Sequence, residues 1–176
     1  MVESNSAQGD LTCIRGIALD VDGVLTDGGF WWGPGGDEWK RFCFADIMGV
    51  SLARRAGFEI ALISGEDSPL VDRYAQKMHI GHITKGCRDK AAALRDFAAA
   101  AHIELEEICF MGDDVNDLPA MQIAGFSAAP ANAARDVLAY AAFVAKSTGG
   151  NGAVRELIEI LLAARGLSAM ELFTKP

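Results

Sequence analysis

"IRGIALDVDGVLTDGG" (Ile14 to Gly29) is a short apolar run that stops abruptly at two aspartates and a glycine. Ile14 to Leu19 reads as a strand buried on both faces, because continuous apolar runs of this length suit a parallel sheet covered by helices. Asp20 and Asp22 then fall at the carboxyl end of that strand, where open α/β sheets bind their ligands. Similar runs follow at Glu59 to Ile63, Ile108 to Met111, Phe126 to Ala129 and Phe143 to Ala145. Helical patterns separate them: Asp46 to Ala56, Pro69 to Met78, Asp89 to Ala101, Asp117 to Ala124, Ala133 to Ala142 and Ala153 to Ala164. The alternation predicts an α/β fold with a Rossmann-like, doubly wound, mainly parallel sheet. Ser68-Pro69 marks one helix start, with Ser as N-cap and Pro at the first helical position.

The 176 residues, 51% of them hydrophobic, suit one compact domain over residues 13–176. Residues 1–12 read as a flexible polar tail without the basic start and apolar stretch of a signal peptide. No apolar run approaches the roughly 20 residues of a membrane helix. A net charge of −8 argues against nucleic acid or an anionic membrane as partner. It leaves an anionic small molecule possible wherever local cations or a metal reverse the field. Cys13, Cys43, Cys87 and Cys109 lack metal-binding spacing and read as reduced thiols of a cytoplasmic protein.

One segment interrupts the alternation. "GGFWWGPGGDEWKRFCF" (Gly28 to Phe44) has two aromatic runs around Gly33-Pro34-Gly35-Gly36 and predicts a β-hairpin insertion. Trp31 and Trp32 are neighbours, so in a strand they face opposite sides. An isolated hairpin covers one face on its own domain, which leaves one indole for solvent or for a second copy of the chain. Assembly through this hairpin is therefore expected.

A second acidic cluster, "FMGDDVNDLPA", places Asp113, Asp114 and Asp117 after another apolar run, again at a strand–loop–helix junction. Either cluster alone is ordinary turn and capping chemistry. Both together, each directly after a buried strand, converge four or five carboxylates that would raise one another's pKa values. A hard, oxygen-seeking cation such as Mg²⁺ resolves that conflict. Ser64 ends its strand before Gly65, so its hydroxyl and the next backbone N–H suit phosphate oxygens. Lys90 opens a helix, where the dipole disfavours a cation, and needs a compensating anion.

These residues resemble the haloacid dehalogenase superfamily of aspartate-nucleophile phosphatases. The likeness covers Asp20-Val-Asp22-Gly-Val-Leu-Thr26, Ser64, Lys90 and Gly112-Asp113-Asp114-Val-Asn-Asp117, in the family's order. It implies Asp20 as nucleophile and Asp22 as general acid and base. It implies Mg²⁺ held by Asp20, the Asp22 carbonyl and Asp113, with Asp114 or Asp117 in support. Ser64 and Lys90 would bind the transferring phosphoryl group, and Asp117 would fix Lys90.

Only 43 residues separate Asp20 from Ser64, and 25 separate Ser64 from Lys90, too few for the inserted cap domain of many superfamily members. Capless members resemble the phosphatases of 2-keto-3-deoxy sugar acids, which act as homotetramers whose subunits complete one another's sites. "GDEWKRF", "MGVSLARRAG" and "GGNGAVREL" resemble that group. The eight-carbon branch (3-deoxy-manno-octulosonate 8-phosphate) commonly carries Thr-Gly-Arg in the second motif and Arg-Asp-Gly after the hairpin. Here Ser64-Gly65-Glu66 and Ala45-Asp46-Ile47 stand instead. Glu66, with Lys77 eleven residues on, resembles the nine-carbon branch (2-keto-3-deoxynononate 9-phosphate), which is the expected substrate type.

Lys77 lies near the end of the helix that starts around Pro69, and about 8 helical residues at 1.5 Å each put it roughly 12 Å from Glu66, so the two cannot pair tightly. They would meet two ends of one extended ligand, or meet it from different subunits. Two like charges 6 Å apart repel by about 2.8 kcal/mol at an effective dielectric of 20, which turns Glu66 from the phosphate toward sugar hydroxyls. Lys77 or Arg155 would take the substrate carboxylate. Two other functions compete: a catalytically silent assembly module, which should lack an aspartate of the first motif, and a phosphatase for another small ester.

Overall fold

A computed structural model of the chain describes residues 10–174. Its centre is β1 (Gly16–Leu19), flanked on one side by β4 (Glu59–Ile63) and on the other by β6 (Ile108–Met111). β5 (His82–Thr84) extends the sheet beyond β4, while β7 (Phe126–Ala129) and β8 (Phe143–Val144) extend it beyond β6. Every neighbouring pair in this six-stranded sheet is parallel. The chain first winds from β1 to one edge and then returns to build the other. The switch in direction lies at β1, so the residues after Leu19 face the crevice that such folds use for ligands.

Alternation along the strands feeds two cores. Ile17, Leu19, Ile60, Leu62, Cys109 and Met111 pack on one face against α1 (Phe44–Arg55), α2 (Pro69–Met78) and α6 (Ala153–Ala164). Ala18, Ala61, Ile63, Ile108 and Phe110 pack on the other against α3 (Lys90–Ala101), α4 (Leu118–Met121) and α5 (Arg135–Tyr140). Burial on both faces is why these strands read as unbroken apolar runs.

The hairpin consists of β2 (Trp31–Trp32) and β3 (Glu38–Trp39), antiparallel and only two residues each. The sequence pattern left one indole for the parent domain to cover. Trp31 and Trp32 are instead 61% and 74% exposed, and Trp39 is 53% exposed. Strands this short have no second layer beneath them. The helix expected over 117–124 is a 3₁₀ turn (Val115–Asp117) followed by the short α4. Of the expected tail, residues 1–9 lie outside the described residues. Residues 10–12 are ordered: Asp10 caps a 3₁₀ turn at Leu11–Cys13, and Leu11 packs on the core. A last helix, α7 (Ala169–Thr174), was not anticipated. Among the described residues, no helix is long and apolar enough to cross a membrane.

Candidate active site

Asp20 leaves β1 with its backbone N–H still bonded to the Met111 carbonyl at 3.0 Å, so the sheet itself aims the side chain. The carboxylate is buried, and its Oδ1 accepts from Lys90 Nζ at 2.8 Å. The same ammonium donates to Asp117 Oδ1 at 2.6 Å. Asp117 Oδ2 is occupied too, by the backbone N–H groups of Asp113 at 2.9 Å and Asp114 at 3.2 Å. Asp117 thus ties the loop after β6 to the first residue of α3. Lys90 tolerates its place at a helix N-terminus because two carboxylates outweigh the dipole. Burial disfavours the charged ammonium, but Asp20 and Asp117 more than offset it and raise the Lys90 pKa.

Positive charge is still short. Burial first, then the Asp117 charge, push the Asp20 carboxyl up to about 8 against the pull of Lys90. The same two causes push Asp113 up to about 6. Carboxylate oxygens of Asp20, Asp113 and Asp117 lie within 4.8 Å of one another, an all-oxygen set that suits a hard divalent cation. Both Asp117 oxygens are already engaged, which leaves Asp20 and Asp113 as the side chains fitted to hold it. Gly23 makes room for Asp113: its φ is +94°, and a Cβ there would sit 2.0 Å from Asp113 Oδ2.

Asp22 sits half-buried beside this pair, its Oδ2 accepting from Lys40 Nζ at 2.8 Å. Lys40 follows β3, its side chain is fully buried, and it lies 4.6 Å from the centre of the Phe30 ring. Thr26 Oγ1 donates weakly to Asp22 Oδ1 at 3.4 Å and accepts from the Gly28 N–H at 3.2 Å. Sequence reasoning missed Lys40, which reaches Asp22 across the hairpin. Ser64 is buried at the end of β4, and its Oγ accepts from the Glu66 N–H at 3.1 Å.

Asp20, Asp22, Lys90 and Asp113 open onto a cavity of about 420 Å³ that Gly65, Glu66, Cys87, Arg88, Asp114 and Asn116 also line; Ser64 and Asp117 are buried just behind that lining. Glu66 is therefore at the site. Lys77 is not: it lines a separate hollow with Met48 and Arg55. Arg155 is also elsewhere in its own chain, with Nε bonded to Glu159 Oε1 at 2.6 Å and its backbone N–H bonded to Asp46 Oδ1 at 2.9 Å. Asp46, after the hairpin, is a buried cap for the start of α6. Arg88 was not singled out from the sequence, because nothing local distinguishes it from a surface arginine.

Comparison with known families matches residues 62–157 to the haloacid dehalogenase-like hydrolases. The chain belongs to the haloacid dehalogenase-like hydrolase family. This hydrolase is 37% identical over 153 residues to the 3-deoxy-D-manno-octulosonate 8-phosphate phosphatase of Escherichia coli K12, covering 87% of the chain and 81% of that relative. A crystal structure of the phosphatase of that name from Moraxella catarrhalis, in complex with magnesium ion, phosphate ion and a KDO molecule, matches with a TM-score of 0.87. Its identity is 37%, over 89% of this chain and 90% of that one. The cobalt-bound form of the Haemophilus influenzae phosphatase matches with a TM-score of 0.89 at 33% identity, over 94% and 99% of the two chains.

Proposed function

We propose that this hydrolase is a Mg²⁺-dependent phosphatase that cleaves the phosphate monoester of a 2-keto-3-deoxy sugar acid through an aspartyl phosphate on Asp20. The observation that carries the reading is the buried Asp20 carboxylate, held by Lys90 beside Asp113 at the switch point of the sheet. Asp20 and Asp113, with the main-chain carbonyl of Asp22, would hold the cation. Bound there, it supplies the charge that lets a carboxylate approach a phosphate.

Asp20 attacks phosphorus as the bond to the leaving alcohol breaks. Asp22 gives that oxygen a proton, then takes one from the water that hydrolyses the aspartyl phosphate. Such acid–base help is worth about 10²–10⁴-fold. An ammonium has three N–H donors. Lys90 spends two on Asp20 and Asp117, which leaves one for a phosphoryl oxygen beside Ser64.

Of the two sugar acids, the eight-carbon ester is the better supported. Its named phosphatases are the relatives at 37% identity, over 87% of the chain. The nine-carbon ester stays as a second reading because Glu66 lines the cavity. The exposed Trp31, Trp32 and Trp39 support assembly as a homotetramer through the hairpin, and four free cysteines suit a cytoplasmic enzyme.

Phosphate release from both esters, with Mg²⁺ and with EDTA, tests the reading. Turnover should need the metal, favour the eight-carbon ester, and fall by about 10⁴-fold or more in Asp20→Asn. Undiminished turnover in EDTA or in Asp20→Asn would sink it.

A further inference from the structure

We propose that Arg88 receives the carboxylate of the substrate, the task that neither Lys77 nor Arg155 is placed to perform within its own chain; this rests on the sugar-acid phosphatase reading above. The cavity is lined by five carboxylates and only two cations, Lys90 and Arg88. Lys90 is buried on the floor and bracketed by Asp20 and Asp117 at 2.8 and 2.6 Å. Arg88 is exposed and lines the cavity, and among the described residues its side chain has no ion-pair or hydrogen-bond partner. In a cavity rich in carboxylates that must admit a molecule anionic at both ends, Arg88 is the one lining cation of this chain not already paired.

The backbone beneath Arg88 is fixed. The Cys87 N–H bonds the Ser64 carbonyl at 3.0 Å, which ties the loop after β5 to the loop after β4. Lys85 Nζ reaches Asp67 at 2.9 Å and Asp72 at 2.6 Å, tying the same two loops from the outside. On the other side Asp89 caps α3, accepting from the Ala92 N–H at 2.9 Å. Arg88 is therefore held one loop away from Glu66, and the two line the same opening. Their division of labour follows from charge. A carboxylate such as Glu66 accepts hydrogen bonds from hydroxyls but repels another carboxylate, whereas a guanidinium offers a planar fork that matches a carboxylate with two parallel N–H bonds. The phosphoryl end does not call on Arg88, since Lys90, Ser64 and the cation already serve it.

The test is steady-state kinetics, with Mg²⁺, on two phosphate esters of similar length. One is the 2-keto-3-deoxy sugar acid phosphate; the other is a sugar alcohol phosphate, which lacks the carboxylate. Arg88→Ala should reduce the ratio of kcat/KM for the acid ester over the alcohol ester by on the order of 10- to 100-fold, mainly through KM. Arg88→Lys, which keeps the charge but loses the fork, should restore part of that ratio. A ratio unchanged in Arg88→Ala, whether both esters suffer equally or neither does, overturns the assignment while wild-type turnover leaves the phosphatase reading standing. A wild-type protein that releases phosphate from neither ester overturns that reading and the proposal with it.

Discussion

Lys90 is the residue on which the site turns. Its ammonium is almost wholly buried, yet it stands between two carboxylates that would otherwise face each other without compensation. Removing one partner from a buried ionic set costs more than the set contributes net, because the remaining charges stay desolvated. Lys90→Met should therefore destabilise the fold by about 3–5 kcal/mol, read as a lower midpoint in urea. Added Mg²⁺ should return part of the loss, since a cation that binds only the folded state shifts the equilibrium toward it. An unchanged midpoint would mean that the ammonium does not hold Asp20 and Asp117. Lys90, Asp20, Asp113 and Asp117 were legible in the sequence because each lies within a few residues of a strand or helix end, and local motifs announce such ends. Lys40 and Arg88 were not, since the contact of Lys40 with Asp22 depends on how the hairpin folds over, and the place of Arg88 on the cavity depends on how one loop is tied to the next. Lys77 and Arg155 illustrate the converse: right in residue type for a carboxylate, and set by their helices on other surfaces of the same chain.

At the scale of elements, the strands were legible wherever both faces are buried, whereas β5, only partly buried along its length, was not. The hairpin was legible as a turn but not as a packing arrangement, because two-residue strands have too little periodicity to assign a face. One close approach joins the late glycine loop to the first motif. A Cβ on Gly149 would lie 1.7 Å from the Gly23 carbonyl oxygen, backbone against backbone with no flexible side chain to yield. The Gly150 N–H bonds the Val24 carbonyl at 2.9 Å, which ties the two loops backbone to backbone. Gly149→Ala should displace the turn that carries Asp22 and lower kcat by on the order of 10²-fold with the circular dichroism spectrum retained. Unaltered kcat would show that this loop does not position the first motif.

For the molecule as a whole, the aromatic surface is concentrated on the hairpin. Trp31, Trp32 and Trp39 all lie open there, close to the exposed Phe30. Large exposed aromatic patches mark interaction sites in soluble proteins. Replacing Trp31 and Trp32 together by serine should convert the proposed tetramer to a lighter species in sedimentation velocity. The fold should survive, because neither indole belongs to the two cores. A wild-type monomer, or a double variant that sediments like wild type, would remove the hairpin from any role in assembly.

The buried link from Lys40 to Asp22 gives that surface a second meaning. Lys40 directly follows the strand that carries Trp39, and the neighbouring Glu38 accepts from both Trp32 Nε1 and Ser68 Oγ. A change that reshapes the hairpin for a new neighbour therefore also shifts the ammonium that holds Asp22, the proposed proton donor. With the proposed assembly surface and the proposed proton donor tied to the same few residues, the hairpin should drift far more slowly than an exposed loop of its length would otherwise allow.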